Sequence, residues 1–366
     1  MKKRILIFSL SYFPLVAGAE VAIKEITDRI SDIEFDMVTL RFSSNPKFEK
    51  IGNVNVYRIG GGFGYFGKIL FIPLAALYAW KLKKANKHNA FWAMMTYMLL
   101  PISLLRLSGV RTPYLLTLQD GDPFTHVFNR LRIFIWKPLL KYGFRHAKKI
   151  QTISHFLAGW AKRAGYKGEV DVIPNGVDVE RFTNSVRATK HDVILITTSR
   201  LVEKNGVRDI ILALKYLQKN VNLQILGVGP LEAELKNLAK KENLENRVEF
   251  LGFVPQADIS KHLHKADIFI RPSLSEGQGI SFIEAMAAGL PVIATPVGGI
   301  PDFLKNGETG LFCNVNDPKS IAEKVREYAS NPELRSRVVR GAFKMVKEKY
   351  DWNIIAGDMK RILNNL

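Results

Sequence analysis

The stretch that most constrains the fold of this chain runs from residue 266 to residue 299 and reads ADIFIRPSLSEGQGISFIEAMAAGLPVIATPVGG. A short apolar run at residues 267–272 is typical of a buried strand, and a Ser- and Gly-containing loop follows at residues 273–279. A short helix is predicted at residues 281–288, ended by Gly289 and Pro291, and a second strand at residues 292–295. This order predicts a right-handed βαβ unit in a parallel sheet, and therefore an α/β fold.

The loop of this unit is suited to a phosphate ligand, because ligands of open α/β sheets bind at the carboxyl ends of the strands. Gly277 and Gly279 let the backbone approach a ligand closely. The helix start offers unpaired N–H groups and the positive end of a dipole. Two carboxylates, Glu276 and Glu284, follow the pattern E-x7-E around the loop, and we expect both to face one crevice.

Each of these glutamates also has a purely structural interpretation. Ser281 and Glu284 fit the pattern S-x-x-E of a capping box, with Glu284 in the first turn of the helix. Glu276 alone is equally typical of a solvated loop acid. The two residues by themselves leave these alternatives open.

The whole phrase closely resembles the nucleotide-sugar site of the retaining glycosyltransferases of family four, which have the GT-B fold. The residues that carry the resemblance are Pro272, Ser273, Glu276, Gly277, Gly279, Glu284, Ala285, Met286, Ala287, Gly289, Pro291, Val292, Gly298 and Gly299. The resemblance implies two Rossmann-like, doubly wound domains that face each other across a cleft. It is dense in residues 170–315 and thinner before them.

The same resemblance implies a role for each donor-side residue. Glu284 would bind the ribose hydroxyls, and Glu276 the hydroxyls of the donor sugar. The backbone amides of Gly279, Ile280 and Ser281 would lie near the diphosphate, and Phe253 and Val254 near the base.

Two bases follow a predicted strand at residues 193–198. Arg200 and Lys204 suit a diphosphate, as a bidentate clamp and a point charge, although a pair of surface bases has the same pattern. They resemble the family element R-L-x-x-x-K-G, except that Asn205 is inserted before Gly206. The resemblance makes them catalytic, because they would neutralise charge on the leaving diphosphate.

The N-terminus has two interpretations. Basic residues 2–4, an apolar run to residue 16 and the Ala17-Gly18-Ala19 sequence imitate a signal peptide. A strand, a loop and an amphipathic helix are the alternative, and the family resemblance favours it. Gly18 would then lie in the family's glycine-rich first loop on the acceptor side.

A further acceptor-side group is predicted after a strand at residues 114–118. There the family commonly has a His where this chain has Gln119, which can hydrogen-bond but cannot titrate. Asp120 and Asp122 form the D-x-D motif with which other glycosyltransferases hold a metal, but the GT-B resemblance argues against that role. We predict neither a metal nor a cofactor.

The net charge of +19 is uneven, with +15 in residues 1–187. Nine bases and no acid lie between Glu49 and Asp120. An apolar run at residues 69–80 precedes Lys81, Lys83, Lys84 and Lys87. This run is a core helix with a solvated basic end, or an interfacial contact with an anionic membrane. In the second case Phe63, Tyr65, Phe66 and Trp80 are candidate anchors.

We therefore expect an N-terminal acceptor-binding domain at residues 1–187, a donor-binding domain at 188–349, and a helix at 350–366 that returns to the first domain. The expected activity is metal-independent, retaining hexosyl transfer from a nucleoside-diphosphate sugar to a glycan or lipid-linked acceptor in polysaccharide biosynthesis. The single Cys313 favours the cytoplasm, with peripheral association on the inner membrane face. Alternatives are an epimerase, a disaccharide synthase or a non-catalytic module for membranes or nucleic acid, although no recognition motif for nucleic acid occurs.

Overall fold

A computed structural model describes residues 2–15, 17–42, 45–61, 64–128, 130–183 and 193–366. The chain forms two compact units. The first contains Met1–Asn175 and Trp352–Leu366, and the second contains Gly176–Asp351. The predicted boundary between residues 187 and 188 lies outside the described residues and stays a prediction.

The first unit is built on an eight-stranded sheet of order β3-β4-β2-β1-β5-β6-β7-β8. Its strands are β1 (Lys3–Phe8), β2 (Ile33–Leu40), β3 (Phe48–Ile51), β4 (Val54–Ile59), β5 (Ala90–Met94), β6 (Tyr114–Leu118), β7 (Lys149–Thr152) and β8 (Val170–Val172). β3 pairs with β4 in antiparallel fashion, and the other described pairs are parallel. β1 is paired on both sides, as the strand–loop–helix interpretation of the N-terminus predicts.

Helices cover both faces of this sheet. They are α1 (Gly18–Asp28), α2 (Tyr65–Asn86), α3 (Leu99–Leu107), α4 (Phe124–Phe128), α5 (Leu131–Phe134), α6 (Lys137–His146) and α7 (His155–Arg163). α2, α3, α6 and α7 bury residues in one large core with alternate strand residues such as Leu6 and Phe8. α1 packs against the C-terminal helix of residues Trp352–Asn364, which belongs to the same unit.

The second unit has a six-stranded parallel sheet of order β11-β10-β9-β12-β13-β14. Its strands are β9 (Val193–Thr198), β10 (Val221–Leu226), β11 (Val248–Gly252), β12 (Ile268–Arg271), β13 (Val292–Ala294) and β14 (Leu311–Phe312). Its helices are α8 (Val179–Thr183), α9 (Val207–Ala213), α10 (Glu232–Lys241), α11 (Gln256–Leu263), α12 (Ile280–Ala287), α13 (Pro318–Ser330) and α14 (Pro332–Lys349). The C-terminal helix is α15.

Successive residues of a strand point to opposite faces of a sheet, and β9 shows the result. Leu195 packs into the core that α9, α10 and α13 cover, whereas Ile194 and Ile196 pack into the core that α8, α12 and α14 cover. Each unit is therefore a doubly wound, mainly parallel α/β structure, as predicted. The predicted βαβ unit is β12, α12 and β13, with β12 and β13 as parallel neighbours.

Candidate functional site

The loop between β12 and α12 ends in a left-handed glycine, and α12 starts one residue earlier than the sequence predicted. Gly279 has φ +83° and is the N-cap residue of α12, whose first helical residue is Ile280. A Cβ on Gly279 would approach the Phe282 ring to 2.5 Å, so the position suits only glycine. The capping-box interpretation is therefore wrong: Ser281 lies inside the helix, and Glu284 lies beyond its first turn.

Glu276 is buried, with 8% of its surface exposed, so its interpretation as a solvated loop acid is wrong. One carboxylate oxygen, Oε1, accepts a hydrogen bond of 3.0 Å from the backbone N–H of Gly277. The other, Oε2, pairs with the Arg271 guanidinium. The glutamate is thus held in one orientation at the carboxyl end of β12.

Arg271 is the main site residue that sequence reasoning missed. It ends β12, and its Nη1 donates to Ser281 Oγ at 2.9 Å. Its Nη2 donates to Asn205 Oδ1 at 2.9 Å as well as to Glu276. Within the described part of the chain its buried Nε has no acceptor. The signal in the sequence was a base directly after the apolar run of a buried strand, a position where a charge needs partners.

Arg200 and Lys204 lie in the loop that follows β9, and β9 is the neighbour of β12 in the sheet. The two loops meet, because the backbone N–H of Leu274 donates to the carbonyl oxygen of Lys204 at 2.7 Å. Gly206 makes this approach possible: it has φ +66°, and a Cβ there would lie 2.1 Å from the Pro272 carbonyl oxygen. The structure therefore brings the predicted basic loop beside the loop of Glu276, with Arg200 exposed to solvent.

Glu284 is more deeply buried than Glu276, with 4% of its surface exposed. Burial raises the pKa of Glu284 from 4.5 to about 7, partly opposed by a hydrogen bond to Gln256 and by the charge of Arg181. Arg181 also donates to the backbone carbonyl of Gln256. Sequence reasoning identified Glu284 but neither of these partners.

Phe253 and Val254 follow β11, which is separated from β12 by two strands. Phe253 is 73% exposed, whereas Val254 packs against the core that α12 covers. The bond between Gln256 and Glu284 links the start of α11 to α12. Gly279, Ile280 and Ser281 lie at the start of α12, so the predicted donor residues occupy one edge of the second sheet.

The predicted acceptor-side residues lie in the first unit, after strands β1 and β6, which are separated in the sheet by β5. Gly18 is the exposed first residue of α1, and a Cβ on it would meet nothing within 4 Å. Gln119 and Asn175 exchange two amide hydrogen bonds of 3.1 Å. The amide that replaces the family's histidine is thus fixed by a partner that sequence reasoning missed.

Asp120 is 5% exposed and accepts a hydrogen bond of 2.9 Å from Thr96 Oγ1. Burial raises the pKa of Asp120 to about 6. The Asp122 carboxylate lies 3.8 Å from His126 Nε2. Among the described residues, no group of three or more His, Cys, Asp or Glu side chains is arranged to hold a metal ion.

Two family profiles match consecutive parts of this chain. The family described as Glycosyl transferases group 1 matches residues 178–345, and Glycosyltransferase Family 4 matches residues 16–181. The putative colanic acid biosynthesis glycosyltransferase WcaL of Salmonella typhimurium is 33% identical over 226 residues. That match covers 58% of this chain and 56% of WcaL.

Two solved structures are similar over the whole chain. Sucrose-phosphate synthase from Thermosynechococcus elongatus has a TM-score of 0.87 at 17% identity, and covers 100% of this chain and 99% of its own. HepE from Anabaena, solved in complex with UDP and glucose, has a TM-score of 0.79 at 20% identity, and covers 100% of both chains. At these identities the similarity shows the fold, and it confirms the predicted GT-B architecture.

Proposed function

Because this chain belongs to the group 1 glycosyltransferases, which share the GT-B fold, we propose that it moves a sugar from a nucleoside-diphosphate donor to a hydroxyl acceptor. The proposal extends to retention of the anomeric configuration, to hexosyl transfer and to polysaccharide biosynthesis. The similarity to WcaL, a putative glycosyltransferase of colanic acid biosynthesis, supports the last point. HepE was solved with UDP, which supports a nucleotide donor for a chain of the same fold.

The observation that carries this proposal is the junction of two loops at one sheet edge. The β9–α9 loop brings Arg200 and Lys204, the β12–α12 loop brings Glu276 and a helix start, and the Leu274–Lys204 bond joins them. Positive charge and unpaired N–H groups at one place suit a diphosphate. A carboxylate beside them suits sugar hydroxyls, which donate hydrogen bonds.

In the proposed reaction, Arg200, Lys204 and the α12 amides neutralise the charge that develops on the leaving diphosphate. Glu276 accepts hydrogen bonds from the donor sugar, and Glu284 from the ribose. The departing phosphate receives the acceptor proton, so that no protein base is needed. Two bases and a helix start are sufficient countercharge for a reaction without a metal.

The acceptor is proposed to bind the first unit beside Gly18, Gln119 and Asp120. The Gln119 amide and the Asp120 carboxyl are polar groups at the carboxyl edge of the first sheet, where ligands of such folds bind. A glycan hydroxyl fits these groups.

The proposal also specifies the acceptor: it is lipid-linked and lies at an anionic membrane. The exposed surface of α2 supports this point. One face of α2 is buried through residues such as Phe71 and Ala75, as the core interpretation predicts. The opposite face exposes apolar residues at helical spacing: Phe66, Leu70, Pro73, Leu77 and Trp80. Phe63 lies outside the described residues. No helix of the described chain is long and apolar enough to cross a bilayer.

A second part of the first unit supports the same contact and was not foreseen from the sequence. Phe134, the last residue of α5, and Ile135, which follows it, are 71% and 81% exposed. A nearby cavity of about 320 Å³ is lined by Phe124, Phe128, Lys137, Lys141, Arg163 and Ala164. The three cations and two aromatic rings of this lining suit the anionic head of a lipid.

The proposal is tested by incubating the protein with each common nucleoside-diphosphate sugar and with glycan and lipid-linked acceptors. Transfer should occur, and nuclear magnetic resonance of the product should give the same anomeric configuration as the donor. An inverted product contradicts retention, and an epimerised donor points to the alternative GT-B activity. A protein that releases no nucleoside diphosphate from any donor contradicts the enzymatic function altogether.

A further inference from the structure

Asn205, which is inserted into the family element, contacts Arg271, the site residue that sequence reasoning missed. Asn205 is the residue inserted before Gly206, and it is 3% exposed. Its side-chain oxygen accepts the bond from Arg271, and its Nδ2 donates to the backbone carbonyl of Arg200 at 2.6 Å. The inserted residue therefore connects a donor-side base to the strand that ends in Arg271.

The contacts form one chain across the sheet edge. Asn205 donates to the backbone carbonyl of Arg200 and accepts a hydrogen bond from Arg271. The same guanidinium of Arg271 also donates to Glu276 and Ser281. Arg271 and Glu276 keep only 11% and 10% of their side-chain surfaces exposed. A planar guanidinium fixes several acceptors at once in a way that a lysine ammonium cannot.

We propose that Asn205 and Arg271 are positioning residues that lock the two donor loops into one rigid part. This inference rests on the proposed function. The pair, which we call the clasp, fixes Glu276 relative to Arg200 before a donor binds. Glu276 is assigned to the donor sugar and Arg200 to the leaving diphosphate. The clasp would therefore align the sugar with the diphosphate when a donor binds.

The clasp acts on turnover more than on nucleotide affinity. Misalignment of reacting groups by about 1 Å can cost roughly 100-fold in rate, because the catalytic geometry is lost. The ribose site at Glu284 has its own partners, Gln256 and Arg181, and the clasp variants keep both bases assigned to the diphosphate, so the affinity for a bare nucleoside diphosphate depends less on the clasp than turnover does. The two effects can therefore be separated.

The test compares Arg271→Lys and Asn205→Ala with two matched controls. Arg208→Lys changes an exposed arginine of α9 that pairs with Glu234 at 3.6 Å, and Asn220→Ala changes an exposed asparagine before β10. Each clasp variant should lower kcat by roughly 100-fold and change the Kd of the nucleoside diphosphate by less than about threefold. The double variant should lose about as much as either single variant, because both changes break one unit. The controls should keep the activity of the unchanged protein.

Hydrogen exchange on the protein without ligand gives a readout that needs no activity. In both clasp variants, amide exchange should accelerate together in residues 199–206 and 273–281, and thermal unfolding should identify a variant that fails to fold. If Arg271→Lys does not fold, the test depends on Asn205→Ala, which removes no charge. The inference is overturned if exchange in these two segments matches that of the controls, or if both variants keep kcat within about twofold. Absence of transfer by the unchanged protein would instead count against the proposed function, and exchange would still decide on the clasp.

Discussion

Replacement of Glu284 by glutamine should stabilise the second unit, and only at high pH. In the folded protein burial raises the pKa of Glu284 from 4.5 to about 7. Between these two values the folded state binds more protons than the unfolded state, so the free energy of unfolding falls as pH rises. At low pH the buried carboxyl is neutral and the folded state keeps its full stability. Part of that stability is lost once the pH has passed the pKa of Glu284 in the folded protein. Glutamine has nearly the same shape and never ionises.

The magnitude follows from the size of the shift. A change from 4.5 to about 7 corresponds to about 3 kcal/mol at about 1.4 kcal/mol per pKa unit. For a domain of this size 1 kcal/mol moves Tm by about 2–4 °C, so Glu284→Gln should raise Tm by about 6–12 °C at about pH 8.5. At about pH 5 the carboxyl is mostly neutral in the folded state, and the variant should melt close to the unchanged protein.

Thermal unfolding followed by circular dichroism at both pH values measures this difference. Glu249→Gln is the matched control, because Glu249 is exposed on β11 and bonds to Gln224 at 2.9 Å. The control should shift Tm equally at the two pH values. The reasoning about Glu284 is refuted if Glu284→Gln changes Tm by the same amount at low and high pH.

Three further outcomes follow from the same account. Arg200→Ala or Lys204→Ala should each cost about 2–4 kcal/mol of transition-state stabilisation, and near-normal kcat/KM in a folded double variant would exclude them from the phosphate site. Activity should survive EDTA, and full loss on chelation that Mn²⁺ or Mg²⁺ restores would reverse the assignment of a metal-independent reaction. The protein should sediment with anionic vesicles at low salt, since each base near the surface contributes about 1 kcal/mol, and lose this binding when four lysines become serine: Lys81, Lys83, Lys84 and Lys87. A protein that does not bind anionic vesicles at low salt would contradict the membrane contact and would favour a soluble acceptor.

The strand–loop–helix–strand unit around Glu276 was predictable because each of its signals is local. Apolar runs identified β12 and β13, and Gly289 identified the end of α12. The helix start was predicted wrongly because Ser281 fits a capping pattern. In the structure the left-handed Gly279 is the N-cap residue, and Ser281 is already inside the helix. A left-handed glycine in a loop has the same sequence signal as any other loop glycine, so this detail was not accessible.

Partners of the site residues were less predictable, because they come from different loops. The contact of Arg271 with Asn205 joins residues 66 positions apart, and the contact of Gln119 with Asn175 joins residues 56 positions apart. Periodicity and spacing report only neighbours along a helix or strand. The exposed Phe134 and Ile135 were missed for a related reason: an apolar pair is typical of a core, and only the packing showed them at the surface.

The central claim is that the second unit binds a nucleoside diphosphate with Glu284 on the ribose and Glu276 on the sugar. Isothermal titration of bare UDP, GDP, ADP and dTDP into the unchanged protein, Glu284→Gln and Glu276→Gln tests it most directly. At least one diphosphate should bind. In a thermal-unfolding experiment, that diphosphate at 100 times its Kd should stabilise the protein by about 2.7 kcal/mol. Glu284→Gln should weaken that binding, and Glu276→Gln should leave it nearly unchanged while transfer falls. The account is contradicted if none of the four binds, or if the two variants weaken binding equally.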